Sequence, residues 1–308
     1  MSSTLKFMET GLPSRTALGV AIRRAVHQLL DKPPVLNDPI AIPILGEHFL
    51  FDPEKQAHPH ARSFRAYMAA RSRLAEDQLA KAITAGAEQI AQVGQVGHAE
   101  QTEQTEQVRQ YVLLGAGLDT FAYRNPWPNL QVFEVDHPAT QLWKRSLLHD
   151  AKIPESASLT YVPLDFEHHT LREGLTEAGF DFTRPAFFTW LGVTHYLTLK
   201  AFRTTIDLIA AMPAGSGVVF DYGLSDEDLS PRRRQHRAEL AARVAAVGEP
   251  FTLSFRKAQL ENELKSAGFG RIKQIDSDDL NSLYFTGRTD NLALPEEGLG
   301  QMAVAWVE

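Results

Sequence analysis

The sequence predicts an α/β fold: a seven-stranded, mostly parallel sheet with helices on both faces, preceded by an N-terminal helical cap. Three observations carry this expectation. From residue 111 onward, short apolar runs alternate with helical segments, the pattern of parallel strands buried on both faces. Residues 1–90 read as helical. The first apolar run ends in Gly-Ala-Gly, which lets a strand turn tightly beside a ligand.

In the cap, residues 16–30 place Leu18, Ile22, Val26, Leu29 and Leu30 at helical spacing. Pro33 and Pro34 end that helix. A loop punctuated by Pro39, Pro43, Pro53 and Pro59 follows. Residues 63–86 form a second long helix rich in alanine and leucine, with Ser63 placed to cap it. Residues 91–110 are dominated by Gln, Glu and Thr and are expected to form a flexible insertion. The core then occupies 111–308. Its strands are expected at YVLLGAG (111–117), LQVFEVD (130–136), SLTYVPLDF (158–166), within PAFFTWLGVTHYL (185–197) and at GSGVVFDYG (215–223). RIKQID and MAVAWVE read as late strands. Helices between them include PATQLWKRSLLHD, LKAFRTTIDLIAAM and residues 254–269, the last ending at Gly268.

Composition narrows the function. The 308 residues are 44% hydrophobic and 22% charged, ordinary for a globular chain. A formal net charge of -7 argues against a broad electrostatic grip on nucleic acid. The one dense basic run, PRRRQHR (231–237), reads as the solvated start of a helix. With no cysteine in the chain, disulfides, thiolate metal sites and cysteine nucleophiles are excluded, and a cytoplasmic setting is expected. The first residues lack the apolar stretch of a signal peptide. No window approaches the ~20 apolar residues of a membrane span. His168 and His169 follow Glu167 with no second ligand cluster, so no metal site is expected.

The chemistry gathers at YVLLGAGLDT. Ligands of open parallel sheets bind beyond the carboxyl ends of the strands. Gly115 and Gly117 allow the backbone to approach a ligand without a Cβ clash. Asp136 ends the second strand, where a carboxylate can accept both hydroxyls of a ribose. A dinucleotide calls for glycine at the third position of G-x-G-x-x-G, where this chain has Thr120. Asp119 in the same turn would repel a pyrophosphate. A cofactor with a positive sulfonium and an amino-acid tail suits an acidic turn better. A nicotinamide-dependent oxidoreductase and a purely structural glycine turn both stay open at this point.

GAGLDTFAYR, followed in order by FEVDHPATQLWKR, YVPLDFE and FFTWLGVTHYLT, resembles the family that contains leucine carboxyl methyltransferase. That family includes related bacterial S-adenosylmethionine-dependent methyltransferases, among them polyketide carboxyl O-methyltransferases. The likeness spans roughly residues 64–288. It implies a class I, Rossmann-like fold and S-adenosyl-L-methionine as cofactor. It also implies that Arg71 pairs with the cofactor carboxylate, a contact a guanidinium suits, with Arg73 as the alternative. Gly115 and Gly117 would form the cofactor turn. Asp119 and Arg124 match a D-T-x-x-x-R signature in which Arg124 braces the turn through Asp119. Asp136 would bind the ribose, with Glu134 as second choice. Asp165 would accept the adenine amino group, and Phe166 would pack on the adenine ring. Many relatives carry Glu-Gly where this chain has Leu191-Gly192, so a carboxylate toward the methionine part is missing there. Trp190 and Leu191 would line the pocket by packing instead.

The implied reaction is in-line methyl transfer, whose rate rests mostly on positioning. A carboxylate acceptor, with a reference pKa near ~4, needs no base; a hydroxyl acceptor does. His195, Tyr196 and Tyr222 are the candidates for that base or for orienting the acceptor. Arg288 is a candidate for meeting an acidic substrate. The N-terminal helices are expected to close over the cofactor. The expected function is O-methylation of a small-molecule carboxylate or hydroxyl, without nucleic-acid or membrane partners. A non-catalytic cofactor-binding regulator is the alternative.

Overall fold

The computed structural model describes residues 15–49, 51–93, 107–165, 169–246, 250–295 and 300–308. Phe166, His168 and residues 94–106 of the low-complexity stretch lie outside them. The strands are β1 (Gln110–Leu114), β2 (Gln131–Asp136), β3 (Leu159–Pro163), β4 (Ala186–Trp190), β5 (Gly217–Tyr222), β6 (Arg271–Ile275) and β7 (Gln301–Trp306). They form one seven-stranded sheet of order β3-β2-β1-β4-β5-β7-β6. The first five are parallel, and β7 runs antiparallel between β5 and β6. The chain builds outward from β1 through β2 and β3, then returns to the other side of β1 with β4. That reversal opens a crevice beyond the carboxyl ends of β1 and β4.

The helices are α1 (Arg15–Leu30), α2 (Pro53–Ala57), α3 (Pro59–Val93), α4 (Pro138–Asp150), α5 (Leu171–Glu177), α6 (Leu199–Ala210), α7 (Pro231–Ala246), α8 (Lys257–Ala267) and α9 (Ser277–Tyr284). Alternation along each strand divides the sheet between two cores. Val112, Phe188, Val218 and Phe220 pack with Phe202 and Ile206 of α6 and Leu260 of α8. Tyr111, Leu113, Phe187 and Val219 pack on the other face with Ala66, Ala69, Ala70 and Leu74 of α3. Each large side chain so buried contributes about 1.5–3 kcal/mol. A third cluster joins α1 to α4 through Ala21, Ala25, Leu118, Leu147 and Leu148.

Helix boundaries differ from the sequence reading. The long second helix opens on Pro59 rather than Ser63, so Ser63 lies inside it and caps nothing. A proline is tolerated there because the first amides of a helix have no intrahelical acceptor. The helix continues to Val93, past the expected end at 86. Its alanine face is a layer of the sheet's own packing. The sequence reading does not single out α5 and α9. Both open with capping boxes, Thr170–Glu173 and Asp276–Asp279.

Candidate functional site

The site begins at the turn after β1. Gly115 has φ +69°, a left-handed backbone, and a Cβ there would fall 2.4 Å from Val193 Cγ2. Gly117 also turns left-handed, and its amide donates to Asp136 Oδ2 at 2.5 Å. The second oxygen, Asp136 Oδ1, accepts from the His137 amide at 2.7 Å. Burial raises the Asp136 carboxyl above its ordinary value while these two amides pull it down. The carboxylate is thus fixed at the end of β2 with lone pairs left to accept further donors. Glu134, two residues earlier, does not line the cavity. It is buried against Lys144 Nζ of α4 at 2.6 Å. Burial pushes Glu134 up to about 7 in spite of that lysine. Asp165 lines the same cavity beyond β3.

The D-T-x-x-x-R signature has a partner that sequence reasoning missed. Arg24 of α1 donates from Nη1 to Asp119 Oδ2 at 2.8 Å and from Nη2 to Asp38 Oδ2 at 2.6 Å. Thr120 Oγ1 donates to Asp38 Oδ2 at 2.7 Å and accepts from Arg24 Nη2 at 2.9 Å. Burial would raise the Asp119 carboxyl, but Arg24 and Arg124 hold it down at about 2. Arg124 makes its ion pair with Glu76 of α3 and donates from Nε to Thr120 Oγ1 at 3.2 Å. The salt bridge that braces the turn at Asp119 therefore comes from Arg24 rather than Arg124. Two cap helices are tied to one turn by charge-assisted hydrogen bonds.

Strand parity explains the next feature. Asp221 lies on the same face of β5 as Val219, under α3, and is 1% exposed. There it meets Arg71 of α3: Arg71 Nη1 donates to Asp221 Oδ2 at 2.6 Å. Asp221 Oδ1 accepts from the Gly192 amide, also at 2.6 Å. Burial opposes ionisation, yet Arg71, His195 and the Gly192 amide hold the Asp221 carboxyl well below the usual carboxylate range. Arg71 Nε is buried with no partner, although Arg71 lines the cavity. Arg73, the alternative, pairs instead with Asp77 on an exposed turn of α3. Leu191 lines the cavity and packs toward the α3 core. Asp221, one strand over from Leu191, binds the amide of the next residue, Gly192.

The three candidates for proton transfer separate. His195 lines the cavity in a short turn (Thr194–Tyr196), with Nε2 3.9 Å from Asp221 Oδ2. Its ring packs on Phe251 at 5.4 Å, as does the Tyr196 ring at 5.7 Å. Tyr222 is one residue out of phase with Asp221, so its hydroxyl reaches the opposite side of the sheet. There it donates to Gln274 Oε1 at 2.6 Å. Burial, with Asp228 and Asp276, raises its pKa further. Tyr222 is therefore a poor proton acceptor. Arg288 is occupied by Asp290 at 2.6 Å and does not line the cavity. His169 lines the cavity, and no metal-holding group occurs among the described residues. The basic run behaves differently from a wholly solvated helix start: His236 and Arg237 line the cavity.

The cavity measures about 2550 Å³, against ~300–1,000 Å³ for a single small-ligand site. It has room for a nucleoside cofactor and a second molecule. The residues present fit S-adenosylmethionine. The glycine turn admits close backbone approach, Asp136 is fixed for ribose hydroxyls, and Arg71 Nε is an unused buried donor suited to a carboxylate. No helix among the described residues is long and apolar enough to cross a membrane.

Comparison with known proteins identifies the family. The family model described as leucine carboxyl methyltransferase matches residues 17–95 and 97–210. The chain is 34% identical over 291 residues to the Bacillus subtilis (strain 168) protein YktD, which carries the name of an S-adenosyl-L-methionine-dependent methyltransferase. The match covers 91% of this chain and 94% of that one. It is 31% identical over 252 residues to a Mycolicibacterium gilvum protein of the same designation, covering 73% of each. Among solved structures, a protein of Thermobifida fusca YX described as a methyltransferase superposes with TM-score 0.54 at 16% identity, over 97% of this chain and 96% of that one. That likeness concerns the fold. The family match spans more than half of the sequence and includes the β1 turn, Asp136, Asp165 and Arg71, so the chain belongs to the leucine carboxyl methyltransferase family.

Proposed function

We propose that this protein transfers the methyl group of S-adenosylmethionine to a carboxylate or hydroxyl oxygen of a small molecule. The family supports the coarser statement, a methyltransferase using S-adenosylmethionine. The acceptor and the residue roles are the proposal. The observation that carries it is one continuous cavity. It runs from Gly115, Gly117 and Asp136, past Arg71 and Asp221, to His195 and Tyr196.

In this reading Asp136 accepts the ribose hydroxyls and Asp165 accepts the adenine amino group. Arg71 turns its free Nε to the cofactor carboxylate, and Leu191 packs beside it. Asp119 holds the turn through Arg24 and does not touch the cofactor. When bound, S-adenosylmethionine supplies an electrophilic methyl on a sulfonium. His195 and Tyr196 orient the acceptor oxygen toward it, and Phe251 shields both rings. Asp221 stays ionised 3.9 Å from His195 Nε2, and His195 takes the proton of a hydroxyl acceptor. A carboxylate acceptor carries no such proton and needs His195 only for placement.

His195→Gln separates the two acceptors. Labelled methyl groups from S-adenosylmethionine, offered with a metabolite extract, identify an acceptor. Steady-state rates are then measured with it. A hydroxyl acceptor predicts a fall in kcat of roughly 10²–10⁴ that is lost as pH rises. A carboxylate acceptor predicts a KM effect with kcat nearly kept. Absence of label transfer to any small molecule would refute the proposal and favour a cofactor-binding regulator.

A further inference from the structure

The outer part of the cavity holds a group of side chains that the cofactor does not use. Two arginines and three histidines from three elements line it: Arg23 on α1, His58 and His60 around the start of α3, and His236 and Arg243 on α7. The His60 ring stacks on Phe64 at 6.4 Å, the same ring that Arg23 covers. Burial, then Arg243, His58, Arg23 and His236, lower the His60 imidazole below its ordinary value. Burial and Arg243 likewise lower Arg23.

Arg23 is half-buried, lies 4.5 Å over the Phe64 ring and donates from Nη1 to the Gly19 carbonyl at 2.7 Å. Arg243 donates from Nε to the Glu239 carbonyl at 3.3 Å. Neither arginine has a carboxylate partner within salt-bridge distance among the described residues. Glu239 is the α7 acid that lines the cavity, and its carboxylate accepts from Gln235 Nε2 at 3.1 Å. The two arginines repel each other, a cost that an anionic ligand between them would offset.

Phe64 precedes Arg71 by seven residues of α3, about 10 Å of helix. The wall between is apolar, with Met68, Val20, Leu240, Val244 and Phe251 lining it. We infer that this cluster docks an anionic group, a carboxylate or phosphate, at the far end of an apolar acceptor molecule. It would lie some two helical turns from the methyl-transfer centre. The inference rests on the reading of the inner cavity as the cofactor and transfer site.

The test uses the full chain and three probes of equal length: octanoate, octyl phosphate and 1-octanol. Their binding is measured by calorimetry, with and without S-adenosylhomocysteine, in the wild type, Arg243→Gln and Arg23→Gln/Arg243→Gln. Arg243 is exposed, so its single variant keeps the fold. The wild type should bind the two anions about tenfold or more tightly than octanol. Arg243→Gln should lose part of that preference and the double variant all of it, with S-adenosylmethionine affinity and Tm unchanged in Arg243→Gln. Equal binding of octanol, or an anion preference surviving in a folded double variant, would overturn the inference. Failure of the wild type to bind S-adenosylmethionine would count against the methyl-transfer reading alone, because the anion preference is read without cofactor too.

Discussion

At the residue scale, the pairing of Arg71 with Asp221 sets both stability and ligand placement. Removing one partner leaves a buried charge alone. Arg71→Met should lower the free energy of unfolding by about 3–5 kcal/mol, read by denaturant titration. Replacing both charges, as in Arg71→Met/Asp221→Leu, should recover most of that loss, since apolar replacement of a buried pair is often neutral. Cofactor affinity should not recover, because the free Nε donor is gone. Recovered affinity in the double variant would remove Arg71 from the cofactor site. Glu134 offers a test by pH. Its folded pKa, about 7, lies above its ordinary value of 4.5. The folded chain therefore holds a proton there that the unfolded chain releases, and this contribution to stability falls as pH rises through 4.5 to about 7. The stability advantage of wild type over Glu134→Gln should narrow between pH 5 and 8 in unfolding experiments at each pH; a gap that widens would contradict the burial argument. Asp221 was not singled out in the sequence, although its strand carries the signal. An acid in the apolar strand VVFDY, one residue from Tyr222, must face the side opposite to that tyrosine. Parity thus separates Tyr222 from Asp221.

At the element scale, the cap and the cofactor turn form one electrostatic unit. Arg24 of α1 reaches Asp119, Asp38 and Thr120 together, and Arg124 reaches back to Glu76 of α3. Arg24→Ala should therefore cost about 3–5 kcal/mol. It should also raise amide hydrogen exchange in α1 and in the turn 115–121 together. Faster exchange in α1 alone would show that the helix and the turn are not coupled. The strands were legible because fully buried parallel strands are continuous apolar runs. The partners of the D-T-x-x-x-R signature were not. Arg24, Asp38 and Glu76 lie in helices and a loop with no local mark of pairing, and only the docking of α1 and α3 on the β1 turn brings them together. The start of α3 was misplaced for a local reason: Pro59 looked like a loop residue, and Pro59 opens the helix instead.

At the scale of the whole molecule, the reversal of strand order between β1 and β4 places the β1 turn, Asp136 and Asp165 at one end of the sheet. The cap and α7 close that end into a single cavity. Its volume accommodates two ligands, and Asp136, Asp165, Arg71, two further arginines and three histidines line it. The polarity of the cavity therefore follows from the fold: acids end the strands, and basic side chains come from the helices laid over them. The central claim is that S-adenosylmethionine binds at the β1 turn through Asp136. Calorimetric titration of wild type and Asp136→Ala with S-adenosylmethionine tests it most directly. The account predicts one site per chain in the wild type and a loss of about tenfold or more in the variant, with no heat from NAD. Absence of binding at millimolar cofactor, or equal affinity in the variant, would contradict it.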